Sequence, residues 1–66
     1  MKNFLLLGGT VTYSSEEDVL TLSFFAKQGV FLAMFNAQCI CSTKNFETLR
    51  KVTASFCEKY NLVEED

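Results

Sequence analysis

Cys39, Cys41 and Cys57 are the side chains best suited to covalent or soft-metal chemistry, because the sequence contains no histidine. Cys39 and Cys41 stand two apart, so on a strand they share a face with Cα atoms about 6.6 Å apart. That separation is near the upper limit for a disulfide, and an extended backbone aims the two side chains in parallel. A structural zinc ion takes about four ligands. Three thiols leave that set one short, so a carboxylate or a second chain would have to complete it. Cys41 also precedes an expected helix start, where backbone N–H groups and the helix dipole lower a thiol pKa. It is therefore the one candidate reactive thiol. The plainer reading, preferred here, makes all three cysteines small apolar side chains of the interior. No metal and no cofactor is expected.

The other polar clusters are weaker signals. Glu16-Glu17-Asp18 gathers three carboxylates, but adjacent loop residues rarely converge on a cation without a glycine and backbone carbonyls to shape the turn. Gly8-Gly9-Thr10 has the glycines of a phosphate loop, yet no Lys-Ser/Thr pair follows to complete one. Without histidine, the His-based triads and general bases are excluded, and no enzyme activity is expected.

Charge bears on the partner. The net charge is −2, from six basic and eight acidic residues. Residues 16–18 and 64–66 hold most of the acid, leaving residues 19–63 mildly basic with Lys27, Lys44, Arg50, Lys51 and Lys59. Aromatic rings on a sheet beside lysines can bind single-stranded nucleic acid by stacking. Most of the seven phenylalanines are needed for a core, however, so nucleic acid is an unlikely partner and stands as the alternative. Thiol redox or metal binding ranks third.

The elements that must position these residues follow from length and pattern. Sixty-six residues suit one small domain, 1–66, with no second domain and no interdomain cleft. The apolar run Phe4-Leu5-Leu6-Leu7 breaks at Gly8-Gly9, too short for a signal peptide or a membrane span. A cytoplasmic location and no membrane contact are expected. Residues 3–13 read as a first strand, with Gly8-Gly9 as a bulge or as bare backbone beneath a bulky neighbour such as Phe24. Residues 19–26 read as a second strand, Lys27-Gln28-Gly29 as a turn, and residues 30–41 as a long third strand.

From Asn45 to Tyr60 a period near 3.6 gathers Phe46, Leu49, Val52, Thr53, Phe56, Cys57 and Tyr60 on one arc. Thr43 or Asn45 suits the N-cap, and Asn61 suits a left-handed C-cap with Leu62 folding back. Residues 63–66 read as a frayed acidic tail. The expected fold is α+β: a three-stranded antiparallel β-meander followed by one C-terminal amphipathic helix packed on one face, in the order β-β-β-α.

Register then separates two faces. A two-residue turn at Gln28-Gly29 sets Lys27 opposite Val30, Phe25 opposite Leu32 and Ser23 opposite Met34. Leu20, Leu22, Phe24, Ala26, Phe31, Ala33, Phe35, Ala37 and Cys39 then line the face beneath the helix. Phe25, Val30, Leu32 and Met34 fall on the other face, which one helix of about 24 Å has no means to cover. These four are the expected interface residues. The function they imply is that of a non-enzymatic protein-interaction module, a small homodimeric inhibitor, adaptor or regulator that binds another protein.

Overall fold

The computed structural model describes residues 1–65. Along the chain run helix α1 (Lys2–Leu6), strands β1 (Val11–Ser14), β2 (Val19–Phe25), β3 (Val30–Phe35) and β4 (Gln38–Thr43), helix α2 (Phe46–Tyr60) and strand β5 (Val63–Glu64). The strands form one antiparallel sheet in the order β4-β3-β2-β1-β5. The fold is α+β with an antiparallel sheet and a C-terminal helix, as the pattern implies. It differs in detail from β-β-β-α, since the sheet has four strands and a two-residue fifth, and a short helix precedes it.

Each difference has a local cause. Residues 3–13 do not form a single strand, because the chain winds into α1 and is stopped by its glycine pair. Gly8 takes φ 96°, and the Gly8 and Gly9 N–H groups donate back to the Leu5 and Phe4 carbonyls at 3.0 and 2.9 Å. That is the paired closure of a helix C-terminus on a left-handed residue. The bulky neighbour over Gly9 is Phe4 rather than Phe24: a Cβ on Gly9 would collide with the Phe4 ring.

Residues 30–41 likewise split in two. Asn36 and Ala37 both adopt positive φ, 49° and 70°, and turn the chain in a two-residue hairpin between β3 and β4. Positive φ at both central residues is the backbone of a type I′ turn. Asn36 also ties this turn to the preceding loop. Its side-chain carbonyl accepts from the Val19 N–H, and its amide donates to Asp18, both at 2.9 Å.

The β2–β3 connection is longer than a two-residue turn. Ala26–Gly29 form the loop, the Gly29 N–H donates to the Phe25 carbonyl at 2.8 Å, and Phe25 pairs with Val30. The register is therefore displaced by two residues from the expected one, with Ser23 opposite Leu32 and Thr21 opposite Met34. An even displacement leaves every side chain on its original face.

Helix α2 has the ends its sequence implies. The Asn45 side chain accepts from the Glu47 N–H at 2.9 Å. Asn61 closes the helix at φ 55°, and the Leu62 N–H reaches the Cys57 carbonyl at 3.0 Å. Both helices lie on one face of the sheet. Leu5 from α1 and Leu49 from α2 are fully buried with Leu20, Leu22 and Ala33 of the strands. Thr53 is buried too, its hydroxyl donating to the Leu49 carbonyl at 2.8 Å. Val63 and Glu64, expected in a frayed tail, instead pair with Ser14 and Tyr13. Asp66, the end of that tail, lies outside the described residues. No helix among the described residues is long and apolar enough to cross a membrane.

Candidate binding face

The sheet face away from both helices is assembled row by row from the strand pairings. Thr12, Thr21, Met34 and Cys39 form one cross-strand row, and Ser23, Leu32 and Ser42 the next. Phe25 and Val30 pair at one end of the sheet, and Val63, Ser14 and Val19 align at the other. Phe25, Val30, Leu32 and Met34 therefore do share this face, as alternation along two paired strands requires. Phe25 is 42% exposed and Val19 44%, while Val30, Leu32 and Met34 are half-buried by their neighbours.

The face extends beyond those four residues. Val63 is 70% exposed and adds an apolar side chain from β5. A single valine in an acidic tail was its only sequence signal. Cys39 joins the face opposite Met34, although simple alternation would put it among the core residues. The cause is the two-residue turn: Phe35 pairs with Gln38, so Gln38 takes the core side and Cys39 the open one. A bulge in β4 follows. Ala33 pairs with Cys41 and Met34 with Cys39, leaving Ile40 as the extra residue. An inserted residue reverses the alternation, so Cys39 and Cys41 point to opposite faces. Ile40 and Cys41 both pack against the core cluster. Ala37 is likewise absent from the core face, being spent in the turn.

No residue of these rows is charged. Threonine and serine surround the apolar groups with hydroxyls that both donate and accept, and a carboxylate reaches the β5 border, where Glu65 Oε1 accepts from the Ser14 hydroxyl at 3.0 Å.

The thiols are free. Burial, with Cys39 adding, pushes the Cys41 thiol above its ordinary pKa. Fewer Cys41 side chains are thus thiolate at neutral pH, which works against a nucleophilic role. Burial and then Glu64 push Cys57 up in the same way. The Cys39 thiol donates to the Cys41 carbonyl at 3.5 Å. Among the described residues, no three His, Cys, Asp or Glu side chains are grouped to hold a metal ion. Glu16-Glu17-Asp18 belong to a loop in which the Ser15 hydroxyl accepts from the Glu17 and Asp18 N–H groups, and Asp18 is engaged by Asn36.

No family model, no curated protein and no solved structure matches the chain. The chemistry of its surfaces is the ground for a functional reading.

Proposed function

We propose that this chain is a non-enzymatic interaction module, and that its open sheet face binds a second copy of the chain. The observation that carries this reading is a face that holds Val19, Phe25, Val30, Leu32, Met34 and Val63 in solvent contact and whose central rows are uncharged. Around a two-fold axis the same patch meets itself, so a charge near the axis would meet its own like charge. The central rows have none to meet, and Glu65 stands at the β5 border, away from them. Burying each apolar side chain is worth about 1.5–3 kcal/mol, a large sum for a domain this small.

Size sets the strength. Five strands spaced about 4.8 Å and a strand length of about 20 Å give a flat footprint of roughly 400–500 Å². A standard interface buries about 800 Å² per partner, so the pairing is reversible and concentration-dependent. A small dimer of this kind serves as an inhibitor or adaptor by presenting its remaining surface twice. Three free thiols suit a reducing, cytoplasmic setting. Nucleic acid fits the face less well, because no lysine or arginine lies among its rows to neutralise phosphate.

Sedimentation equilibrium across a hundredfold range of protein concentration tests the reading. The native chain should move from monomer to dimer. Leu32→Glu with Met34→Glu should stay monomeric, with an unaltered circular-dichroism spectrum as proof of folding. A folded double mutant that still dimerises as the native chain does, or a native chain that stays monomeric throughout, would sink it.

A further inference from the structure

The helix-covered side of the molecule has its own opening, remote from the sheet face just described. A cleft of about 940 Å³ lies where α1, the first turns of α2 and the β1–β5 edge meet. Phe4, Tyr13 and Phe46 give its apolar lining three aromatic rings, beside Met1 and Val11. Phe4 stays 53% exposed although Gly9 lets its ring lie against bare backbone. The ring is thus held as a wall of the cleft and is not drawn into the core.

Charge is divided between the two sides. Lys2 and Arg50 line the cleft from the helices, and Glu64 and Glu65 from the strand edge. The Lys2 ammonium stands 6.0 Å from the centre of the Phe46 ring. Arg50 uses Nε and Nη2 on Glu47, both at 3.3 Å, which leaves its other nitrogen for a second acceptor. The Tyr13 hydroxyl donates to the Met1 thioether at 3.7 Å, a weak acceptor that a carbonyl would outcompete. Burial and Glu64 raise the pKa of that phenol, so it remains a donor.

The backbone supplies the last part. β5 pairs with Tyr13 and Ser14, and the Glu65 N–H donates to the Thr12 carbonyl at 2.8 Å. Thr10 is two residues before Thr12, so its peptide groups face the same edge. Thr10 makes no backbone hydrogen bond among the described residues.

We propose that this cleft binds a short extended peptide of a partner protein, carrying an apolar side chain between an acidic and a basic one. The peptide continues the line of β5 along the edge at Thr10, the mode by which exposed sheet edges recruit strands. Its apolar side chain rests on Phe4, Tyr13 and Phe46. Its carboxylate meets Lys2 and Arg50, and its cation meets Glu64. The open length of the cleft and the unpaired edge favour a chain over a compact molecule, which a pocket would enclose. The site is independent of self-association through the open face.

The test is a nuclear magnetic resonance titration of the full chain with the capped pentapeptide Glu-Val-Phe-Val-Lys. Saturable shifts are expected at the amides of Thr10, Val11, Phe46 and Arg50. Replacing both charged peptide residues with Gln should weaken binding by about fivefold or more. Arg50→Glu should weaken it by about tenfold, and this surface substitution leaves folding intact because the Glu47 pair is solvent-exposed. Leu32→Glu, on the opposite face, should leave the affinity unaltered. Shifts that fail to saturate or that map to the sheet face would overturn the proposal. So would equal affinity in the Arg50→Glu chain, or free phenylalanine binding as tightly as the peptide.

Discussion

Ala37 sits at φ 70°, a conformation that costs an L-residue with a Cβ about 1–2 kcal/mol. Its neighbour Asn36, at φ 49°, meets the same demand with a side chain that hydrogen-bonds to Val19 and Asp18. Ala37 has no such compensation. Asn-Gly is the pair this turn favours, so Ala37→Gly should stabilise the chain by about 0.5–1 kcal/mol after the entropy lost by glycine. In a domain this size that raises the melting temperature by roughly 2–8 °C, readable by thermal melting. A lower melting temperature would mean the turn is built differently. The missing glycine also explains why the hairpin is hard to read in the sequence. Phe35-Asn36-Ala37-Gln38 has one turn-former and an alanine equally at home in a strand, so residues 30–41 present as one run.

At the scale of elements, α2 is the most legible because pattern, both caps and period agree. The apolar arc is correctly placed, but depth along it is not. Leu49 is fully buried and Thr53 nearly so, whereas Phe46, Val52 and Phe56 are half-covered. Phe56 packs edge-on against Phe35 at 5.0 Å and near Tyr60 at 5.6 Å, at the rim of the core. Leu49→Ala should therefore cost about 2–5 kcal/mol, comparable with the entire stability of such a domain. Urea denaturation should show a larger loss for Leu49→Ala than for Phe56→Ala, despite the smaller side chain removed. The reverse order would put the centre of the core nearer Phe56. Helix α1 is hidden from periodicity, since five residues do not complete two turns and its glycine stop reads equally well as a bulge. β5 is hidden because two residues carry no period. Phe25, Val30, Leu32 and Met34 share one face despite a misplaced register because that error was even. The turn at Asn36-Ala37 introduced an odd one and moved Cys39 to the open face, and the bulge at Ile40 returned Cys41 to the core side.

Over the whole molecule, the groups raised in pKa lie on the helix-covered side: Tyr13, Cys41 and Cys57. The folded chain keeps protons that the unfolded chain gives up as pH rises. Their contribution is complete below the unfolded pKa values and is lost as pH rises through the folded ones. Melting temperature should therefore hold from about pH 6 to 8 and fall between about pH 8.5 and 11. Tyr13→Phe should remove the upper part of that fall. A melting temperature unaltered at the alkaline end would show that these groups ionise as freely folded as unfolded.

The extra residue in β4 matters for a further reason. β4 ends the sheet, and its six residues, Gln38 to Thr43, include no charge and no proline. A flat outer strand of that composition is a template for chain after chain to add at a spacing of about 4.8 Å, the growth habit of an amyloid fibril. The bulge bends and twists the strand midway, so the next chain would find hydrogen-bonding groups out of step on either side of Ile40. One extra residue thus keeps the free edge of the sheet from seeding insoluble fibres.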